Sequence, residues 1–358
     1  MKWRNEKLRM NIVKTTFAMA VLLPTLFSSC RLRPLEEDGV LEMARIRIYI
    51  NWSNSGINVP SSEERDRVHR VSIRFFPKDG SPVFDRYLEE PNVIYNWINV
   101  PVGKYSVVVF NESIYDEEYW NGAVAFTGVD SYADFAAHAV AWDPAERAVE
   151  FPFYTPSPGE SVIIGPEPRK LSSWSLDHFE VTSNMALMSR GRQPSKPLMV
   201  WEEEMLEALV NIQMRRLTRL INVTARVTNL VSAWTNYCAL SGFANTVRMA
   251  SGETMQTPSI NLFKLNGRQY DSDRLSGTTR YSFLSFGRVP QSEAYTLTVD
   301  ALYVTGELYT FDRPFDVTSQ VVSSTDPNIN INVSYDLEYR EGGIAVDDWG
   351  NDYEYDIQ

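Results

Sequence analysis

Apolar and polar residues alternate along much of the chain, and this pattern limits the folds that it can adopt. Between Arg45 and Trp52 the even positions are isoleucine or tryptophan, whereas the odd positions are arginine, tyrosine or asparagine. Successive side chains of a β-strand point to opposite faces, so the pattern predicts a strand with one buried face. The same alternation recurs at 70–75, 221–228, 295–303 and 329–339. This period of two, repeated so often, predicts an all-β protein.

Two strands of the first half are distinctive. The strand at 70–75 is predicted to place Val71, Ile73 and Phe75 inward and Arg70, Ser72 and Arg74 outward. It ends at Asp79-Gly80, a strong turn signal. After a further strand at 93–100, the continuous apolar run Tyr105–Phe110 predicts a central strand that is packed on both faces.

Three segments do not show the alternation. Residues 130–140 predict a short helix capped by Asp130 or Ser131. Residues 152–168 are rich in proline, which predicts an extended crossing segment without helix. Residues 200–209 are compatible with a helix or with the start of a strand, and the sequence does not decide between them.

The two halves of the chain share an ordered pair of motifs. Residues 73–80 and 260–267 both read I-x-x-F-x-x-[D/N]-G, a strand that runs into a turn. Further on, Val-Pro precedes a tyrosine-led strand at 100–105 and again at 289–295. The same order and similar spacing predict two diverged copies of one β-module. Chance matching in a strand-rich sequence is the alternative.

The N-terminus has the composition of an export signal. Its basic residues are Lys2, Arg4, Lys7, Arg9 and Lys14. The apolar run Phe17–Phe27 that follows is too short to span a bilayer, which needs about 20 apolar residues. Residues 26–30, Leu-Phe-Ser-Ser-Cys, resemble the lipobox of bacterial lipoproteins, and this resemblance implies that Cys30 is lipidated. An ordinary signal peptide with a chance cysteine is the alternative.

Charge and cysteine content narrow the functional class. The whole chain has a net charge of −12. Without residues 1–29 the mature chain is more acidic still, so its surface repels phosphate backbones and nucleic-acid binding is not expected. If Cys30 is lipidated, Cys238 remains as a single thiol in an apolar run, so no intramolecular disulfide is possible.

Catalytic and metal-binding patterns are weak. His69, His138 and His178 lie in unrelated segments, and the sequence has no Cys/His cluster, nucleophile elbow or phosphate-binding glycine loop. The acidic run 116–118 is a candidate for a catalytic carboxylate, although such runs are usually solvated. Residues 326–330 and 347–348 offer oxygen ligands for calcium without EF-hand spacing. The sequence therefore predicts no enzyme, no metal and no cofactor.

An aromatic group in a polar loop is the candidate ligand site. Trp120 lies close in sequence to Tyr115 and Tyr119, and such an aromatic shelf could bind a sugar. The alternative is that these rings pack beneath a long loop.

The lipobox, a short acidic tether and two all-β modules together resemble the fimbrillin superfamily of gut and oral anaerobes. The turn Val100–Tyr105 is similar to turns in its transthyretin-like sandwiches. Residues 215–219 and 240–244 are similar to the opening of its second domain. The resemblance implies two transthyretin-like (Greek-key) β-sandwiches in tandem, display at the cell surface, and a role in adhesion or pilus assembly.

The predicted organisation follows from these patterns. The segments are a signal peptide at 1–29, a tether at 30–44, an N-terminal sandwich at 45–195, a C-terminal sandwich at 196–340 and an acidic aromatic tail at 341–358. The predicted protein is a non-enzymatic lipoprotein anchored in the outer membrane by lipid on Cys30, acting as a fimbrial anchor or accessory subunit with other fimbrial subunits as partners. The alternative is a surface glycan-binding lipoprotein that serves polysaccharide uptake.

Two further segments bear on assembly. In fimbrillin stalk subunits an arginine-specific protease is thought to remove the first strand, and a neighbour's strand then fills the groove. Here Arg65 and Arg67, in the loop after the first strand, are the candidate processing sites. Acidic neighbours favour an unprocessed anchor instead.

In the tail, the alternation of Tyr353, Tyr355 and Ile357 with acidic residues predicts a last edge strand, with a frayed terminus as the alternative.

Overall fold

The structure is a computed structural model that is dominated by β-strands. It describes residues 42–57, 68–89, 96–156, 162–164, 167–190, 210–255, 258–289, 294–324 and 328–339. Cys30, Arg65, Arg67, residues 200–209 and the tail therefore lie outside the described residues. None of the helices within the described ranges has the length and hydropathy of a membrane span.

Twenty-one strands and four short helices are described. In chain order the strands are β1 Met43–Asn51, β2 Val71–Pro77, β3 Phe84–Leu88, β4 Asn96–Pro101, β5 Gly103–Asn111, β6 Val124–Thr127, β7 Ala136–Ala139, β8 Val162–Ile164, β9 Ser172–Val181, β10 Val210–Gln213, β11 Arg215–Arg216, β12 Arg219–Thr228, β13 Ala233–Ala244, β14 Thr246–Arg248, β15 Pro258–Leu265, β16 Gly267–Tyr270, β17 Gly277–Ser285, β18 Thr296–Tyr303, β19 Leu308–Thr310, β20 Phe315–Asp316 and β21 Asn328–Asp336. The helices are α1 Glu117–Trp120, α2 Pro144–Glu150, α3 Ser183–Ser189 and α4 Thr318–Ser323.

The first sandwich packs two sheets around one apolar core. One sheet has the order β10-β1-β4 and the other has the order β11-β9-β5-β2-β3. Inward residues of both sheets, among them Ile46, Ile73 and Val107, form a single buried cluster. The alternating pattern of β1 and the apolar run of β5 put these residues on the inner faces.

The second sandwich repeats this plan. Its sheets have the orders β16-β17-β12-β21 and β19-β18-β13-β15-β8. The predicted strands at 221–228, 295–303 and 329–339 correspond to β12, β18 and β21, and their apolar positions form a second buried cluster. The prediction of an all-β protein built from sandwiches is confirmed.

The fifth described sheet, β14-β7-β6, joins the two halves of the chain. Here Thr246 of the second half pairs with His138 of the first. The sheet contributes to a third buried cluster that also contains Phe76 and Phe110 from the outer face of β2 and β5, and Leu217 from the second half. This cluster covers a sheet face that would otherwise be exposed to solvent.

The prediction of a helix over residues 130–140 is wrong. Residues 136–139 form β7, which pairs with β6 on one side and with β14 on the other. An isolated helix of this length is marginal in water. Strand pairing satisfies the backbone on both sides and buries Phe135 and Ala137 in the third cluster.

The predicted outward face of β2 is also wrong in part. Ser72 and Arg74 are buried. The sequence alternates as expected, but the third cluster covers the second face of the sheet. The alternation thus identified the strand correctly and could not reveal what packs on its polar side.

Strand pairing crosses the predicted boundary near residue 195. Residues 210–213 and 215–216, assigned by the sequence to the second sandwich, pair with β1 and β9 of the first. Conversely, β8 was assigned to the first sandwich and pairs in parallel with β15 of the second. Each half of the chain, divided at residue 195, therefore contributes strands to both sandwiches.

The repeat is present in the topology, but one predicted correspondence is displaced. β1 pairs in parallel with β10 and antiparallel with β4, just as β12 pairs with β21 and β17. The order β5-β2-β3 matches β18-β13-β15, so the counterpart of β2 is β13 and not β15. The tyrosine motif does correspond: Tyr105 Oη donates to Pro101 O at 2.8 Å, and Tyr295 Oη donates to Val289 O at 3.4 Å.

Candidate functional site

The candidate assembly site is built around β1. This strand lies between β10 and β4, and its residues Ile46, Ile48 and Ile50 are buried in the first core. The chain before it contains Cys30, and the loop after it contains Arg65 and Arg67. The strand therefore lies between the predicted lipid anchor and the predicted processing sites.

Helix α3 packs beside β1 and holds its N-terminal half. The backbone N–H of Arg45 donates to Ser189 Oγ at 2.8 Å, and Ser189 Oγ donates to Met185 O at 2.8 Å. Met185 itself is buried in the first core. This contact ties β1 to an element that lies more than a hundred residues further along the chain.

The outer face of β1 carries a cation–π contact. The Arg45 guanidinium lies 4.8 Å from the ring centroid of Trp97, whose side chain remains 44% exposed. Trp97, which opposes Arg47 in the β1–β4 register, is not part of the core. At such an exposed position the contact contributes about 0.5–1 kcal/mol.

Glu112 binds the backbone just after the segment that contains Arg65 and Arg67. The buried Glu112 carboxylate accepts hydrogen bonds from the backbone N–H groups of His69 and Arg70 through Oε1. Its carbonyl accepts from Ser72 Oγ at 2.7 Å. Glu112 has a φ of 60°, an uncommon backbone conformation outside glycine that these contacts maintain.

Burial makes this carboxyl titrate near neutrality. Desolvation raises the pKa of Glu112 from 4.5 to about 7, and the negative charge of Asp116 adds to the rise, while the hydrogen bonds from His69 and Arg70 and the charge of Arg70 oppose it. Glu112 Oε2 has no hydrogen-bond partner among the described residues. The ionised form is therefore unfavourable in the folded protein.

We expect the free energy of unfolding to fall as the pH rises, because of Glu112. Its pKa is higher in the folded than in the unfolded state, so the folded protein binds the extra proton. The stabilisation is fully present below about pH 4.5 and is lost as the pH rises through 7. Glu112→Gln should remove up to about 3 kcal/mol of this dependence between pH 4.5 and 8, as measured by urea unfolding.

The matched control is Glu180→Gln, since Glu180 forms an exposed ion pair with Lys104 on the surface. This substitution should leave the pH dependence unchanged. If the Glu112→Gln variant retained the slope of the unsubstituted protein, the assignment of that slope to Glu112 would be wrong.

The aromatic candidates do not form an open shelf. Trp120 is 3% exposed, its Nε1–H donates to Ser113 O at 2.7 Å, and the rings of Tyr119 and Phe126 pack against it edge to face. Tyr119 is buried as well, whereas Tyr115 is 69% exposed. The structure thus buries Trp120 and Tyr119 against each other and leaves only Tyr115 of the three exposed, so the tryptophan has no face available for a sugar.

The nearby acidic run has a structural explanation. Asp116 caps helix α1, its Oδ1 accepting the N–H of Tyr119 at 2.9 Å. Such a cap satisfies a backbone donor that the helix leaves unpaired. Glu117 and Glu118 lie in the first turn, where acidic residues suit the helix dipole.

The chain matches the family described as domain of unknown function (DUF5119) over residues 29–264. This match covers well over half of the sequence. The chain belongs to the DUF5119 family. A search of the curated proteins gave no match.

Solved structures resemble this DUF5119 protein along most of its length. A putative adhesin from Bacteroides ovatus matches with a TM-score of 0.51 and 15% identity, covering 87% of this chain and 98% of the other. A putative adhesin from Bacteroides thetaiotaomicron matches with a TM-score of 0.48 and 9% identity, covering 82% and 91%. The fimbrial anchor protein Mfa2 from Porphyromonas gingivalis matches with a TM-score of 0.41 and 12% identity, covering 82% and 90%. The match to the Bacteroides ovatus structure agrees with the all-β fold that the sequence predicted.

The DUF5119 protein has no assembled metal or thiol site in the part of the chain that the structure describes. No group of three or more His, Cys, Asp or Glu residues there could hold a metal ion. His138 lies between Thr127 and Thr246 in the β14-β7-β6 sheet. Cys238 is a buried free thiol whose pKa is raised by desolvation, so it is neutral and unreactive.

Sequence reasoning missed Glu112 and Arg74. Glu112 directly follows the apolar strand β5, and a carboxylate there could have been noticed at the strand end. Arg74 was predicted to be outward, yet its guanidinium donates to both oxygens of Asp85, at 2.7 and 3.0 Å, and to Val129 O. Asp85 lies directly opposite Arg74 in the β2–β3 register, so a hairpin at the predicted Asp79-Gly80 turn would have paired them, whereas no sequence signal points to Val129.

Proposed function

We propose that this DUF5119 protein is a non-enzymatic, fimbrillin-type surface lipoprotein, acting as a fimbrial anchor or accessory subunit in adhesion or pilus assembly. In this proposal lipid on Cys30 attaches it to the outer membrane, and other fimbrial subunits are its partners. The observation that carries the proposal is the position of β1, seated between β4 and β10 directly after the predicted anchor.

We keep the unprocessed anchor as the favoured form, because the burial of β1 makes its loss costly. Complete burial of an isoleucine side chain contributes about 1.5–3 kcal/mol, so Ile46, Ile48 and Ile50 together contribute roughly 5–9 kcal/mol. This is comparable to the whole stability of a typical domain, about 5–15 kcal/mol. Loss of β1 would require immediate replacement by another strand. The contact of Arg45 with α3 holds the start of β1 in place. The contact of His69 with Glu112 holds the chain just beyond Arg65 and Arg67.

The fold shared with the putative adhesin from Bacteroides ovatus supports a role in adhesion. The glycan-binding alternative rested on Trp120, and that side chain is buried. No observation on the described residues now favours that alternative over the fimbrial one.

We expect Cys30→Ala to release the protein from the membrane. Several acyl chains hold a protein firmly, whereas a chain without them has no comparable attachment. The measurement is the fraction of protein that remains with membranes after a carbonate wash, together with incorporation of labelled fatty acid.

The matched control is Cys238→Ala, which removes the buried thiol of the second core. This variant should remain acylated and membrane-bound. Retention of Cys30→Ala on washed membranes would refute lipid anchoring through this residue.

N-terminal sequencing of protein from cells tests the choice between anchor and stalk. A lipid-blocked Cys30 and co-purification with fimbrial subunits are expected. A mature chain that begins at Asp66 or Val68, found in high-mass ladders, would show that the arginine sites are processed and that the protein polymerises.

A further inference from the structure

The free edge of β21 is half closed and half open. Among the described strands β21 forms one border of its sheet and pairs only with β12, in parallel. Its odd residues, among them Ile331 and Val333, are buried, and its even residues are exposed. An edge strand of this kind has a row of backbone groups that could pair with another strand.

Helix α4 closes the first half of this edge. The Asn332 N–H donates to Gln320 Oε1 at 2.6 Å, and Gln320 Nε2 donates to Asn332 O at 2.9 Å. The amide of Gln320 thereby makes both bonds that a neighbouring strand would make. The Asn330 N–H donates to Ser324 Oγ at 3.3 Å, which extends the closure by one more position.

The second half of the edge is open among the described residues. Asn330 and Asn332 point their backbone groups away from β12, so the alternation of a strand directs those of Ser334 and Asp336 the same way. No hydrogen bond to these outward groups is present in the part of the chain that the structure describes. The opening therefore covers Ser334 and Asp336, between Asn332, which Gln320 binds, and Glu338, whose N–H donates to Tyr303 Oη at 3.1 Å.

We propose that the C-terminal segment Tyr353–Ile357 adds to this open half as an antiparallel strand, and that Gln320 sets the point at which the added strand stops. The described chain ends three residues beyond Asp336, beside the opening. Residues 340–352 include Gly342, Gly343 and Gly350, which permit the chain to reverse direction.

The side-chain pattern of the segment fits the open length. An antiparallel register that places Tyr355 beside Tyr335 also places Tyr353 beside Leu337 and Ile357 beside Val333. All three apolar residues of the segment then continue the buried face of β21. In this register residue 358 would come opposite Asn332, where Gln320 occupies the edge.

Amide hydrogen exchange at single-residue resolution tests the proposal. In the full chain the amides of Ser334 and Asp336 should exchange at least about tenfold more slowly than in a chain truncated after Asp352, because truncation removes their hydrogen-bond acceptors. The Asn332 amide should be equally protected in both, since Gln320 accepts its bond. Gln320→Ala should expose Asn332 and leave Ser334 and Asp336 protected.

Two substitutions within the segment make a matched pair. Tyr355→Ser removes an inward ring and should abolish the protection of Ser334 and Asp336. Glu354→Gln changes an outward residue opposite Asp336 and should preserve that protection or increase it, because like charges directly opposite each other are unfavourable.

Equal exchange of Ser334 and Asp336 in the full and truncated chains would overturn the proposal. So would protection that appears only with rising protein concentration and a dimer in gel filtration, because the added strand would then come from a second copy. Neither outcome depends on lipidation or on the proposed fimbrial role.

Discussion

Arg74→Met should lower the free energy of unfolding at pH 7 by about 3–5 kcal/mol, the usual effect of removing one partner from a buried ion pair. The Arg74 and Asp85 side chains are only 4% and 12% exposed, and the guanidinium also donates to Val129 O at 2.8 Å. The substitution would leave a buried carboxylate without its cation. Urea unfolding of both proteins measures the difference.

The loss should shrink as the pH is lowered. Desolvation raises the pKa of Asp85, and the nearby Arg74 guanidinium opposes that rise. Without Arg74 the pKa of Asp85 rises further, so the folded variant binds a proton more tightly than the unfolded chain does. Its destabilisation is therefore complete at neutral pH and is relieved as the pH falls toward about 4.

Two further variants separate the charge effect from loss of packing. Arg74→Met combined with Asp85→Leu should recover most of the stability, because an apolar pair of similar volume can replace a buried ion pair. Arg226→Met is the matched surface control, since the Arg226 side chain is 55% exposed beside Asp271, and it should cost less than about 1 kcal/mol. A loss below 1 kcal/mol for Arg74→Met itself would contradict the structural role given to the pair.

Cleavage of the chain between residues 190 and 210 should leave the two fragments bound to each other. Strands pair across such a cut at four places: β1 with β10, β9 with β11, β7 with β14, and β15 with β8. The third buried cluster also draws residues from both fragments. The cleaved protein should elute from gel filtration as one particle and separate only in denaturant.

A protease site inserted after Lys196 provides the cut. Phe135→Ala should lower the urea concentration at which the fragments part, because Phe135 is fully buried in the third cluster and this truncation costs about 3–5 kcal/mol. Phe153→Ala is the matched control at a 41% exposed ring and should change this concentration much less. Elution as two smaller particles without denaturant would mean that the four strand pairs across the cut do not hold the fragments together.

The sequence determined the strands whose sides differ in polarity. β1, β12, β18 and β21 were predicted within a few residues, because the period of two is a local property of a strand with one buried face. The continuous apolar run of β5 identified a central strand, because both faces of that strand are buried. The tyrosine motif of residues 105 and 295 also marked equivalent positions in the two sandwiches.

Only the tertiary structure decided what covers each strand and which strands pair. Arg74 and Ser72 are polar, yet they are buried because the third cluster packs on that face. Residues 136–139 became a strand because β6 and β14 offer partners on both sides, a condition absent from the local sequence.

The candidate site divides in the same way. The predicted signal, lipidation site and processing sites around β1 rest on local composition alone and stay predictions. The burial of Trp120 and the carboxylate of Glu112 beneath His69 and Arg70 depend on contacts between residues far apart in the chain. Burial free energy is a property of the assembled neighbours, and the sequence of one strand does not specify them.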